Sequence, residues 1–154
     1  MKKVNHFLAI TLLVNASLAW VEVALAEEKI DIVVNRSPAC SCCGKWVEHL
    51  RQNNFNVKDV VSDDVQAIKN KYGVTKELAS CHTAIVNGYA IEGHVPAGDI
   101  KTLLKKKSDI AGITVPGMPS GTPGMEMGGK KDAYQVISFD KKNQQQVFNS
   151  YKAE

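Results

Sequence analysis

Three of the four cysteines of this chain fall within four residues, Cys40-Ser41-Cys42-Cys43, and the fourth, Cys81, lies far downstream. This clustering limits the fold more than any other feature. Neighbours such as Cys42 and Cys43 pair with each other only under strain, so one local bridge, Cys40–Cys43, is the only comfortable one inside the cluster. A structural disulfide framework spreads its cysteines to close long loops. This chain must therefore fold around a hydrophobic core, and the concentrated thiols read as a site.

The start of the chain is read separately. Lys2 and Lys3 precede an apolar run over residues 7–19, and Ala24-Leu25-Ala26 offers a small-x-small cut before Glu27-Glu28-Lys29. That order matches a secretory signal peptide over residues 1–26. An earlier cut after Ser17-Leu18-Ala19 and an uncleaved anchor are the alternatives, although a run of 13 residues is short for a span. Residues 27–154 then form one domain with room for one modest core. Losing Lys2, Lys3 and Glu22 takes the net charge from +3 to +2, which gives no case for nucleic acid as a partner. No other segment is apolar enough to cross a membrane. The expected location is the periplasm or the outside of the cell, and the periplasm is the one adopted.

Along the domain, residues 29–34 read as a strand, residues 35–39 as a loop and residues 42 to about 53 as a helix burying Trp46, Val47 and Leu50. Residues 55–61 alternate as a second strand. Ser62 or Asp63 can cap a helix carrying Val65, Ile68 and Tyr72 on one face, ended by Gly73. Residues 83–86 form a strand, Asn87-Gly88 a tight hairpin turn, and residues 89–95 the returning strand. A third helix spans residues 96–107. Residues 112–129 hold six of the eleven glycines and three of the five prolines and are expected to contain no regular element. A last strand over residues 134–139 and a polar tail complete the chain. The order β-α-β-α-β-β-α points to an α/β, thioredoxin-like fold with a long Gly/Pro/Met loop and an extra C-terminal strand.

Cys40 and Cys43 have Cys-x-x-Cys spacing at the start of a helix, where unpaired N–H groups and the helix dipole favour a thiolate. Disulfide exchange needs one attacking and one resolving thiol, which leaves Cys42 over. Three thiolates on one turn can instead surround a metal. If Asn87 and Gly88 are the two turn residues, Cys81 faces His94 across the hairpin at about 5 Å between Cβ atoms, within reach of one ion. A slip of one residue would destroy that pairing. His82 would point to the opposite face from Cys81 unless the chain is irregular there. His49 reads as a solvated or partly buried helical histidine, His6 belongs to the signal peptide, and Trp46 and Tyr89 read as packing residues. Met118, Met125 and Met127 lie in the Gly/Pro loop. They are either soft thioether ligands suited to Cu(I) or a hydrophobic lid over the cysteines.

The pieces Cys40-Ser41-Cys42-Cys43-Gly44-Lys45-Trp46, Ser80-Cys81-His82-Thr83-Ala84, Gly88-Tyr89-Ala90-Ile91-Glu92-Gly93-His94-Val95-Pro96 and Val115-Pro116-Gly117-Met118-Pro119 resemble the domain-of-unknown-function family 411. That family includes the CopG-like periplasmic copper-resistance proteins. The resemblance runs from about Ile30 to Phe139. It implies a thioredoxin-like fold, a copper site built on the Cys-x-Cys-Cys element, and a role in handling excess periplasmic copper by holding it or cycling its redox state. On this reading the metal set is Cys40, Cys42, Cys43, Cys81 and His94, with Met118, Met125 and Met127, and His82 is added to it as the neighbour of Cys81. The cofactor is copper, as Cu(I) or Cu(II), in one ion or more. The partners are copper ions and a periplasmic redox or copper-transfer protein.

The alternative is a thiol–disulfide oxidoreductase in which Cys40 attacks and Cys43 resolves, so enzyme activity on copper or thiols stays open. A structural zinc site of the Cys3His type is the third reading, and it leaves the methionine loop without a purpose. Nothing in the chain suggests hydrolase or kinase chemistry.

Overall fold

The computed structural model describes residues 28–154. The expected signal peptide lies outside the described residues. The elements follow in the order β1 (Ile30–Arg36), α1 (Ser41–Gln52), β2 (Phe55–Val61), α2 (Val65–Lys71), β3 (His82–Val86), β4 (Tyr89–Glu92), α3 (Ala97–Lys106), β5 (Gly112–Thr114), β6 (Tyr134–Phe139) and β7 (Gln145–Tyr151). All seven strands join one mixed sheet, ordered β2-β1-β3-β4-β5-β6-β7. β1 is parallel to β2, β3 is antiparallel to both β1 and β4, and β4 is parallel to β5.

The hairpin register follows from its turn. Asn87 adopts φ 47° and Gly88 φ 85°, the left-handed pair that a two-residue hairpin needs. Val86 then pairs with Tyr89 and Thr83 with Glu92. Period-two alternation divides the hairpin between two cores. Ala84 and Ile91 join Ile32, Val34, Trp46, Val47, Leu50, Ile100 and Leu103 in the larger cluster, under α1 and α3. Their neighbours Ile85 and Ala90 face Val74, Leu78 and Phe139. The apolar face expected of α1 is the buried one, and truncating a residue such as Leu50 to Ala would cost about 2–5 kcal/mol.

Several expectations are corrected. The glycine-rich stretch does contain a regular element, because Gly112, Ile113 and Thr114 pair on one side with β4 and on the other with Phe139, Ser138 and Ile137 of β6. Three residues are too few to show a period. The polar tail contains β7, an edge strand whose side chains are mostly exposed and so carry no apolar alternation. The strand expected to reach residue 95 ends at Glu92. Asp64, rather than Ser62 or Asp63, caps α2 by accepting the Ala67 N–H at 3.1 Å. α2 turns Val65 and Lys69 inward, while Ile68 is only partly buried and Tyr72 follows the helix as its C-cap. A lysine at that inward position was not anticipated.

Candidate metal centre

α1 begins beside the end of the β3–β4 hairpin away from its turn. Cys40 is the N-cap residue, in extended conformation, and Cys42 and Cys43 lie in the first turn. Cys43 is fully buried, whereas Cys42 and Cys40 are half-buried. A disulfide joins Cys40 to Cys43, with Cα atoms 5.5 Å apart. Cys42 and Cys81 are free thiols, and Cys42 Sγ lies 3.5 Å from Cys40 Sγ. The sulfur atoms of all four cysteines lie within 4.8 Å of one another. Folding thus brings Cys81 onto the cluster from a sequence distance of about forty residues.

Cys81 also anchors a second set. Its Sγ lies 3.2 Å from His94 Nε2 and 3.2 Å from His82 Nδ1, and these three ligand atoms again lie within 4.8 Å of one another. The pairing of Cys81 with His94 expected from the turn is present, continued past the ladder by the Gly93 N–H donating to His82 O at 3.0 Å. His82 reaches the same sulfur because residue 81 sits in a bend just before β3 rather than in the strand.

Gly93 makes this close approach possible. Its φ is +72°, and a methyl group there would lie 2.6 Å from Ser80 Cβ and 2.7 Å from Val115 O. No L side chain suits that conformation and that space together.

A hydrogen bond assigns the tautomer of His94. His94 Nδ1 is 2.8 Å from Pro123 O. A carbonyl only accepts, so Nδ1 carries the proton and Nε2 turns its lone pair toward Cys81. A backbone carbonyl behind the ring is the usual partner of a metal-ligating histidine. His82 is fully buried against Trp46, with ring centroids 4.4 Å apart. Its Nε2 has no hydrogen-bond partner. Trp46 does more than pack, since its Nε1–H donates to Val95 O at 2.9 Å, next to His94.

Burial, followed by the charge of neighbouring Cys42, pushes the Cys81 thiol up to about 11. Burial also holds His82 well below the ordinary histidine value and His94 below it. At neutral pH the metal-free set is therefore a thiol and two neutral imidazoles. A soft cation binding there must displace the thiol proton. Soft sulfur with neutral imidazole suits copper or zinc far better than hard oxygen-seeking ions.

The Gly/Pro/Met loop closes over this region with its backbone. The Ser80 hydroxyl donates to Gly117 O, and Pro123 O receives His94. Gly124, at φ +85°, brings the loop so near α1 that a methyl group there would meet Trp46 N at 2.7 Å. Met118 and Met127 are 55% and 72% exposed, and Met125 is half-buried. His49 stands apart, its Nε2 accepting the Ala97 N–H at 3.1 Å.

A family model described as a protein of unknown function, DUF411, matches residues 78–125, the span that carries Cys81, His82 and His94. Two solved structures are similar over most of the chain. One, "Copper resistance protein copG- Form 2", is 44% identical, with 80% of this chain and 99% of that chain covered and a TM-score of 0.77. The other, "Copper resistance protein copG- Form 1", is 45% identical, with 81% and 99% covered and a TM-score of 0.77. Among curated proteins nothing matches.

Proposed function

Since the chain belongs to the DUF411 family, along with the copper resistance proteins it resembles, we propose that it is a periplasmic copper-binding protein that buffers copper or cycles its redox state. The observation that carries this reading is the convergence on Cys81, whose sulfur is shared by a four-cysteine set and a Cys-His-His set. The donors fit a soft ion, and the buried His82 and His94 are held neutral and able to donate lone pairs. When bound, copper would supply one-electron chemistry and soft-ligand affinity at this position.

The chain's own part is to present and release these donors. Cys40 and Cys43 are available as thiolates only when their disulfide is reduced, which takes two electrons. With the disulfide closed, Cys42, Cys81, His82 and His94 remain. Met118, Met125 and Met127 are further candidate soft donors, and the exposed Met118 and Met127 are accessible to copper from solution. The strand order β2-β1-β3-β4, with β3 antiparallel, supports reading the core as thioredoxin-like. Residues 1–26 act on this reading as the export signal, and a redox or copper-transfer protein as the partner.

The Cys40–Cys43 disulfide at the head of α1 favours a second reading, a thiol–disulfide oxidoreductase. One experiment separates the two. The chain from Glu27 is reduced without oxygen and titrated with Cu(I) against a competing chelator, alongside Cys42→Ser and Cys81→Ser. The copper reading expects tight uptake that falls at least about tenfold, or ~1.4 kcal/mol, in either variant. Weak uptake, indifferent to both substitutions, with disulfide exchange intact in Cys42→Ser, would replace it with the oxidoreductase.

A further inference from the structure

Behind the metal centre lies a buried ion pair that the cysteine and histidine chemistry does not use. Lys69 of α2 is 6% exposed and Glu92 at the end of β4 is fully buried, and the two form a salt bridge. Glu92 Oε1 also accepts the Ser80 N–H at 2.6 Å, and Oε2 accepts the Thr83 hydroxyl at 2.6 Å. Lys69 Nζ donates in addition to Thr83 Oγ1 at 3.1 Å. Ser80 and Thr83 flank the dipeptide Cys81-His82. One carboxylate therefore grips the chain on both sides of two metal-set residues, and it lies two residues before the third, His94.

We propose that Glu92 is the positioning residue of the metal centre, holding Cys81 and His82 in their shared pocket through its bracket on Ser80 and Thr83, with Lys69 as its buried counter-charge. The proposal rests on the copper reading for its ligand but not for its geometry.

A single buried ion pair adds little net stability against a well-packed apolar replacement, yet breaking one partner is costly. Its presence here is better explained by what the carboxylate holds. Ser80 and Cys81 lie in an irregular segment before β3, where no strand ladder fixes the chain. Glu92 supplies the fixed acceptor that the ladder does not. Outer partners of this kind typically govern metal affinity by about 10–100-fold.

Removing one charge alone would strand the other in the core, so the test uses pairs. Lys69→Met/Glu92→Leu removes the charges and the bracket while keeping volume. Lys69→Met/Glu92→Gln removes the charges but keeps the bracket, because an amide can accept from the Ser80 N–H and donate to the Thr83 hydroxyl. Each is made in the full mature chain, and thermal unfolding checks that it is folded.

Two readouts follow. In the first, Cu(I) affinity should fall about 10–100-fold in the leucine pair and largely recover in the glutamine pair. In the second, the metal-free chain is alkylated and the rate at Cys81 is compared by mass spectrometry with that at Cys42. The leucine pair should raise the Cys81 rate several-fold, and the glutamine pair should return it to the wild-type value. Wild-type behaviour in both pairs overturns the proposal. Equal loss in both overturns the bracket in favour of the charges. Should the wild type take up no copper, the copper reading falls, and the alkylation rates alone decide whether Glu92 holds Cys81.

Discussion

The Nε2 of His49 accepts the N–H of Ala97, the first residue of α3, one of the four amides that a helix start leaves unpaired. That bond requires an unprotonated Nε2. Burial lowers the His49 pKa, and Glu126 opposes the shift only in part. The unfolded chain therefore takes up a proton near pH 6.5 before the folded one does. The stability that His49 contributes is complete above about pH 6.5 and is lost as pH falls from there through the depressed folded value. One such group gives at most about 1.4 kcal/mol per pH unit, and its partial exposure brings the figure below that. Urea unfolding of the metal-free chain between pH 7 and pH 5 should show this slope. His49→Gln, whose amide oxygen can still accept the Ala97 N–H, should flatten it in part, since His82 and His94 add slopes of the same sign. An unaltered slope in the variant would remove His49 from the account.

At the scale of elements, legibility varied with how many residues carry a pattern. The Asn87-Gly88 turn fixes the register of β3 and β4 by itself, which is why the pairing of Cys81 with His94 could be read from the chain. Trp46, Val47 and Leu50 give enough of a period to place the buried face of α1. β5 has three residues in a glycine-rich setting, and β7 is an edge strand with no apolar alternation, so neither carries a signal. The inward turn of Lys69 was hidden because its burial depends on Glu92, more than twenty residues away. A charged residue four positions after the buried Val65, and a glutamate inside the otherwise apolar run Tyr89–Glu92, were the available signs.

β7 is held to α3 by Asp99, which is 5% exposed and accepts from Asn149 Nδ2 at 2.8 Å and from the Tyr151 hydroxyl at 2.7 Å. Asp99→Ala leaves two donors without their acceptor and removes the acidic residue from the first turn of α3. A loss of about 1–3 kcal/mol is expected in chemical unfolding, with faster amide exchange across residues 145–151. Unchanged exchange there would show that sheet pairing alone holds the edge.

For the whole molecule, the proposed copper site sets the disulfide and the metal in competition for the same sulfurs, those of Cys40 and Cys43. Among the described residues no helix is long and apolar enough to cross a membrane. The Cys40–Cys43 bridge closes a separation of three residues. In the chain-entropy account so short a loop stabilises by only about 2 kcal/mol. Ligand binding to the folded state stabilises by RT ln(1 + [L]/Kd), about 2.7 kcal/mol at a hundred times Kd. The two effects match when free Cu(I) reaches roughly 30 times Kd. Below that level the oxidised, metal-free chain should melt higher, and above it the reduced, copper-loaded chain should. The same copper added to the oxidised chain should raise its melting temperature less, because Cys40 and Cys43 are then withheld and only Cys42, Cys81 and the histidines remain. Calorimetric scans of both redox forms across a series of buffered Cu(I) concentrations measure this crossing. An equal rise in the two forms would mean that Cys40 and Cys43 are not ligands, and that the Cys-His-His set around Cys81 holds the metal without them.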